Sequence, residues 1–555
     1  MHTGAYQPPA SVAFRLSLRN GPPLQPEPAM PNTSSATPTR DASSANANLF
    51  VALRNGFSAD QDTIAIETAD GDQPLCYSWR DLDRATARLA NLLDSLELPP
   101  GARIAVQTEK SVEALLLYFA VLRAGFVYLP LNTAYQSSEI EYFIGNAEPS
   151  VVVCSGKNFA WVSKIAFRAG TAHVFTLNAD RSGSLLDRAT VHADTHQPAH
   201  SAPDDLAAIL YTSGTTGRSK GAMLSHGNLL SNALTLKDYW GWRSGDVLIH
   251  ALPIFHVHGL FVASHGALLN GSKMIWFSKF DPRQVVERLH EATIFMGVPT
   301  LYVRLLAEPA LSREACLNMR LFIAGSAPLL IETFREFQQR TGHTILERYG
   351  MSETAMLSSN PYRAEDGERR GGTVGYPLPG VGLRVRGESG ELRSDGEIGG
   401  IEVSGPNVFQ GYWRMPEKTR EEFTEDGWFK TGDVGRIDER GYLQIVGRSK
   451  DLIITGGYNV YPAEIETYLN DMVGVAESAV VGAPHPDFGE AVVAVVVAKP
   501  GAALDSAGLI AQLKSKIANF KVPKHLFIVD DLPRNTMGKV QKNLLREQHK
   551  GVFGG

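Results

Sequence analysis

Cysteine is scarce: Cys76, Cys154 and Cys316 are the only three in 555 residues, far apart and odd in number. That excludes a disulfide scaffold and any CxxC-type zinc site. A basic excess is also lacking. Lys and Arg total 53 against 59 Asp and Glu, a net charge of −6. Nucleic-acid binders carry a basic patch or stripe, and none stands out, so no nucleic-acid partner is expected. Long apolar runs are missing too. The richest stretch, Ala114–Leu131, is interrupted by Arg123, Gly125 and Pro130. It falls short of the roughly 20 apolar residues of a spanning helix. It reads as a buried helix followed by a short strand, and no membrane insertion is expected. What remains is ordinary globular usage, 43% hydrophobic and 20% charged. Domains run about 100–200 residues, so this length implies more than one structural unit.

Residues 1–46 are rich in Pro, Ser, Ala, Thr and Asn. Such a segment buries too little surface to offset its ordering entropy, so a disordered extension is expected. Arg15 and Arg19 precede the first acidic residue, Glu27, which is a faint transit-peptide trait. The prolines at 8, 9, 22, 23, 26 and 28 work against an amphipathic helix there. A dispensable tail on a cytoplasmic protein is the expectation, with mitochondrial targeting the minor alternative.

From residue 47 onward, apolar strand-like runs alternate with helical patterns. Ser78–Ser95 and Val112–Arg123 read as helices; Arg103–Gln107, Ser150–Cys154, Asp204–Tyr211 and Arg320–Ala324 read as strands. This alternation argues an α/β fold with largely parallel sheets over 47–448. From Gly371 the texture changes to short strands divided by Gly and Pro: Gly382–Arg386, Gly400–Ser404 and Tyr442–Val446. That predicts a small β-rich subdomain over about 371–448. After Arg448, helical Pro462–Leu469 and Leu504–Asn519 flank strands Val475–Gly482 and Ala491–Lys499. Residues 449–550 therefore read as a separate small α+β domain.

The densest chemical signal is Tyr211–Gly221, YTSGTTGRSKG, at the end of an apolar strand. Glycines let backbone N–H groups converge on an anion, hydroxyls add donors, and Lys220 adds a charge. A helix is expected to begin near Asn228, too far on for its dipole to explain the loop. The loop is not a Walker A motif, because Ser219 precedes Lys220 and Gly221 follows it. Gly217–Gly221 does fit GxSxG, which keeps a serine hydrolase using Ser219 as a remote alternative. A non-catalytic nucleotide-binding protein is a third reading.

This loop resembles the phosphate loop of the adenylate-forming superfamily of acyl-CoA synthetases, adenylation domains and luciferases. The resemblance runs in order through LPIFHVHG (252–259), AGSAPL (324–329), ERYGMSET (347–354), TGD (431–433), GRSKDLIITGGYNVYP (447–462) and PRNTMGKVQK (533–542). Ser219 departs from the family pattern, which has proline there. The resemblance implies an α/β fold with a large N-terminal domain and a small mobile C-terminal domain, hinged at Lys450. It implies that Thr212, Ser213, Gly214, Thr215, Thr216, Gly217 and Lys220 cradle ATP phosphates. Gly325, Ser326, Ala327, Glu347, Tyr349, Gly350, Met351 and Ser352 would frame the nucleotide, and Asp433 and Arg448 the ribose. Glu353, with Thr216, would hold Mg²⁺, a hard cation suited to carboxylate and water. Lys539 would reach the α-phosphate and the substrate carboxylate, and His256 would gate the acyl site. Gly456, Gly457 and Tyr458 would serve CoA after domain rotation.

The acid is addressed by MGVPTLYVRL (296–305). An arginine buried there without an anionic partner is costly, so Arg304 suggests a second carboxylate on the substrate. The alternative is a surface arginine on the exposed helix face. LPIFHVHGLF, GVPTLYVRLL, GSAPL and ERYGMSET together resemble the malonyl-CoA synthetase subgroup. The resemblance gives Arg304 the distal carboxylate of malonate, with His258, Ser326 and Met351 lining a short pocket. ATP, malonate and CoA are then the expected partners. Methylmalonate or another short acid is the alternative, and the chain is expected to be a monomer or homodimer.

Overall fold

Four runs of apolar residues, Arg103–Gln107, Val127–Pro130, Val151–Cys154 and His173–Thr176, become parallel strands. All four residues of Val151–Cys154 are buried, the signature of a parallel strand covered on both faces. Leu206–Thr212 joins this sheet in parallel, and Lys220–Ser225 closes it antiparallel, giving six strands. A second sheet of nine strands has a parallel centre built from Ile64–Thr68, Lys273–Trp276, Val247–His250, Ile294–Gly297, Leu321–Ala324 and Leu346–Met351. Helices supply the cover. Trp79–Asp94 starts at a Ser78–Asp81 capping box, and Val112–Arg123 is buried on every face, as its apolar run from Ala114 to Leu122 implies.

The computed structural model describes residues 45–71, 73–212, 219–387, 389–456, 458–535 and 538–554. Residues 1–44 of the expected N-terminal extension therefore lie outside the described residues. Asn46–Gly555 form one unit. Within it, Gly382–Arg386, Gly399–Ser404, Phe429–Ile437 and Leu443–Arg448 make a four-stranded antiparallel sheet, in line with the short Gly-divided strands. A 3₁₀ turn, Ser449–Asp451, follows, with Lys450 exposed at its centre. Beyond it, Ile453–Thr455, Tyr458–Val460, Val475–His485, Gly489–Ala498 and His525–Val529 build a five-stranded sheet. That sheet has its own apolar core, centred on Val480, Val492, Ala494 and Val496.

Most boundaries shift by one to three residues from the sequence reading, and two of the shifts matter most. The helix expected over 504–519 spans Ser506–Lys514, because the Asp505 carboxylate accepts from the N–H groups of Ala507 and Gly508 and sets the start. The strand expected over 442–446 runs Leu443–Arg448. Its last residue therefore sits in a ladder, with consequences for the site.

Candidate active site

The Gly/Thr loop joins two antiparallel strands, Leu206–Thr212 and Lys220–Ser225. Ser213, Gly214, Thr215, Thr216 and Gly217 lie outside the described residues, so only Thr212 and Lys220 of the expected phosphate cradle can be placed. The next helix, His226–Tyr239, begins only after the second strand, at a Ser225 cap, two residues earlier than expected. This corrects the GxSxG reading. A nucleophile elbow needs a strand-to-helix turn, whereas Ser219 leads into a strand. Its carbonyl is tied down by the Tyr142 hydroxyl at 2.7 Å.

Beside the loop, the Thr212 hydroxyl points to Glu353 Oε1 at 3.5 Å, and the Tyr412 hydroxyl donates to the same oxygen at 3.1 Å. Burial pushes the Glu353 carboxyl above its ordinary range, against the pull of the backbone, Tyr412 and Lys220. Lys220 Nζ lies 3.2 Å from Glu422 Oε1 and 4.2 Å from the centroid of the Tyr412 ring. Among the described residues no cluster of three or more His, Cys, Asp or Glu could hold a metal. One buried carboxylate beside a phosphate loop instead fits Mg²⁺, which keeps waters and takes one or two carboxylates plus phosphate oxygens.

Strand register builds the next group. Asp433 and Arg448 face each other across the last two strands of the four-stranded sheet. Arg448 Nε reaches Asp433 Oδ1 at 2.7 Å, and the Tyr349 hydroxyl donates to Asp433 Oδ2. Tyr349 stands on Leu346–Met351, where a bulge separates it from Gly350. A Cβ on Gly350 would come within 2.0 Å of the Ala355 carbonyl oxygen, so that turn requires glycine. Glu347 is buried, accepts from the Gly372 N–H at 3.2 Å, and is pushed by burial up to about 8. Met351 and Ser352 follow, half-buried.

The third group surrounds a sharp turn after strand Leu321–Ala324. Gly325 is buried, and Ser326 and Ala327 are half-buried. Ser326 adopts φ +74°, a left-handed conformation that costs a non-glycine residue about 1–3 kcal/mol and that clusters at functional sites. Its hydroxyl lies 3.3 Å from His258 Nδ1. His258 opens a π-helix, His258–Ala263, a rare turn found often at functional sites. His258 is fully buried, and its Nε2 has no partner among the described residues. Burial, reinforced by Lys539 and Arg348, lowers His256 to about 3; burial with Arg348 likewise holds His258 neutral.

Arg348 was missed in the sequence. It is 3% exposed and lies flat against Gly325, where a Cβ would stand 2.6 Å from its Cζ. Nε and Nη2 are buried without a partner among the described residues. Burial pushes the guanidinium down to about 9. An ion of this kind removed from water carries a penalty of several kcal/mol unless something pairs with it. Arg304 takes the opposite position, which corrects the expectation of an arginine buried in the pocket. Helix Pro299–Leu306 buries Tyr302, Leu305 and Leu306, so Val303 and Arg304 face outward. The Arg304 guanidinium stacks 4.9 Å from the centroid of Phe280.

Lys539 reaches this cluster from the C-terminal segment. A hairpin holds it: the Lys539 N–H donates to Asn535 Oδ1 at 3.0 Å, and the Asn535 N–H to the Lys539 carbonyl at 2.9 Å. Gly538, at φ +73°, packs on Thr300 of the N-terminal body, where a Cβ would stand 2.9 Å from the hydroxyl. Burial, then Arg448 and Arg348, lower the Lys539 amine to about 8 against the pull of Asp433 and Glu353. Lys539 thus lies within electrostatic reach of Arg448, Arg348, Asp433 and Glu353, and His256 within reach of Lys539 and Arg348. Gly456 and Tyr458 do not join them: both are exposed on the hairpin from Ile453 to Val460, with Tyr458 stacked on Phe520 at 4.6 Å. Gly457 lies outside the described residues.

This geometry can be set beside known proteins. Residues 58–413 match the AMP-binding enzyme family, and residues 464–539 match its C-terminal domain. The chain belongs to the AMP-binding enzyme family. A malonate–CoA ligase from Arabidopsis thaliana is 34% identical over 90% of this chain and 88% of its own. A feruloyl-CoA synthase from a Streptomyces species is 35% identical over 85% of this chain and 94% of its own. ATP-bound MatB from Rhodopseudomonas palustris is 56% identical over 92% of this chain and 100% of its own, with a TM-score of 0.88. Its apo form, at 55% identity and the same coverage, gives 0.79. The relatives act on different acids, so the pocket has to decide the substrate. As an AMP-forming acyl-CoA synthetase of this family, the chain uses ATP and CoA. No helix among the described residues is long and apolar enough to cross a membrane.

Proposed function

We propose that this AMP-binding family member is a malonate–CoA ligase, converting ATP, malonate and CoA to malonyl-CoA, AMP and diphosphate. The observation that carries the reading is the buried cation Arg348, two of its nitrogens without partners among the described residues, within electrostatic reach of Lys539 and His256. A carboxylate is a weak nucleophile repelled by ATP. Adenylation therefore needs positive charge and fixed donors around the α-phosphate. Lys539 supplies that charge at the acyl–phosphate junction, and a malonate oxygen attacks the α-phosphorus as diphosphate leaves. Asp433, Arg448 and Tyr349 hold the ribose side. Thr212, Lys220 and the loop between them hold the phosphates. Glu353 with Thr216 would hold Mg²⁺, which would offset phosphate charge when bound.

In the second half-reaction the CoA thiol attacks the acyl carbon, the C–O bond to phosphate breaks, and AMP leaves. Gly456, Gly457 and Tyr458 are on the outside while Lys539 is inside, so the C-terminal domain turns about Lys450 to exchange them. The higher TM-score to ATP-bound than to apo MatB is in keeping with an adenylation-ready arrangement. Lys539→Ala tests the reading. Malonate-dependent diphosphate release falls by about 10³-fold, while thioester formation from supplied malonyl-adenylate persists. Undiminished diphosphate release in that variant contradicts the mechanism.

A further inference from the structure

Lys110 is a charged group that the adenylation chemistry leaves unused. It stands between strand Arg103–Gln107 of the six-stranded sheet and helix Val112–Arg123, yet its ammonium reaches the nine-stranded sheet. There it donates to the Phe277 carbonyl at 2.6 Å and the His250 carbonyl at 2.8 Å, and it lies 3.0 Å from His250 Nδ1. These acceptors sit at the carboxyl ends of two neighbouring parallel strands, Val247–His250 and Lys273–Trp276. An ammonium has three N–H donors, and all three are taken. Trp276 completes the seat: Nζ stands 4.3 Å from its ring centroid, and the His250 imidazole stacks on the same ring at 4.5 Å. Burial lowers the ammonium against the pull of Asp70. A solvated lysine carries no such desolvation cost, so the placement needs a reason.

The reason lies on the other side of the imidazole. His250 Nε2 is 2.9 Å from the Gly259 carbonyl, which can only accept. Nε2 therefore carries the proton, and Nδ1 accepts from Lys110. The Ser264 hydroxyl donates to the same Gly259 oxygen at 2.9 Å. Gly259 is the second residue of the π-helix His258–Ala263, and a Cβ there would stand 2.1 Å from the Pro253 carbonyl oxygen. The turn that carries His258 is thus held tightly, and His258 Nδ1 meets the Ser326 hydroxyl beside it. We propose that Lys110 and His250 are positioning residues for the acid: the ammonium fixes the imidazole, the imidazole fixes the Gly259 carbonyl, and the π-turn so held sets where His258 meets the substrate. The inference rests on the ligase reading, in which His258 lines the acyl pocket. When the turn is loosened, acid binding weakens, whereas Tyr349, Asp433 and Arg448 stand on other strands and keep their hold on the nucleotide.

The test is steady-state CoA-dependent AMP release by the full-length protein, with malonate and ATP varied in turn on the same preparation. Unfolded protein lowers the apparent kcat alone, so both KM values report the folded enzyme. Lys110→Met and His250→Phe are each expected to raise the malonate KM about tenfold, with the ATP KM within about twofold of the wild type. His250→Gln keeps a donor for Gly259 and an acceptor for Lys110, so its malonate KM is expected to stay within about threefold of the wild type. The double variant Lys110→Met/His250→Phe is expected to match His250→Phe alone, because the two residues act through one contact. An unchanged malonate KM in both single variants overturns the inference. So does a parallel rise in both KM values, a Gln variant no better than Phe, or a double variant whose effects multiply to about a hundredfold. A wild-type protein that releases no AMP with malonate overturns the ligase reading, and the inference with it.

Discussion

The nucleotide end and the acyl end of the site are built on opposite electrostatic principles. At the nucleotide end, the described charged groups have protein partners. Asp433 is bound by Arg448 and Tyr349, Lys220 faces Glu422 and the Tyr412 ring, and Glu353 accepts from Tyr412. These groups are held in place before a ligand arrives, and the ligand must exchange partners with them. At the acyl end, Arg348 and His258 are buried with nitrogens unpaired. A paired site is positioned at little cost and discriminates weakly. An unpaired one is unstable when empty and discriminates strongly, because only the right ligand completes it. The contrast suits a family in which the nucleotide is constant and the acid varies.

The contrast can be broken from either side. The largest effect is expected for Lys539→Ala, which stands where the two ends meet: about 10³-fold in diphosphate release. Next comes Arg348→Met, at about a hundredfold with malonate and opposite in sign with isovalerate. Asp433→Asn, read as the KM for ATP, is expected to rise about tenfold, since one charge-assisted hydrogen bond is worth about 1.5–3 kcal/mol. The pH profile sharpens the junction. The free-enzyme amine of Lys539 sits near 8, and the protonated form is the useful one, so kcat/KM for malonate falls as pH rises through about 8. His256, at about 3, stays neutral and adds no break near 6.5. A flat profile from pH 7 to 9.5 contradicts this. The smallest effect is expected for Arg304→Ala, about threefold in malonate kcat/KM, well below that of Arg348→Met.

Much of this was legible in the sequence where chemistry and chain position coincide. Arg103–Gln107 and Val112–Arg123 form the strand and helix that their apolar patterns imply, and TGD and GRSK meet because two short strands pair. What sequence reasoning missed was side-chain direction. Arg304 and Arg348 each lie next to buried residues in the chain, but a helix turns the first outward between Tyr302 and Leu305, while a strand drives the second inward. Period and partner, invisible in the string of letters, decide which arginine is buried. Tyr412 was likewise hidden: its segment showed likeness without a role, and only the contact between strand Lys220–Ser225 and Tyr412 brings it beneath Lys220.

The most direct test is CoA-dependent AMP release by the wild-type protein with malonate, methylmalonate, acetate, isovalerate and ferulate at equal concentrations. The account predicts the highest kcat/KM for malonate, a lower value for methylmalonate, and values at least about a hundredfold lower for the three monocarboxylates. A monocarboxylate turned over as well as malonate would contradict it.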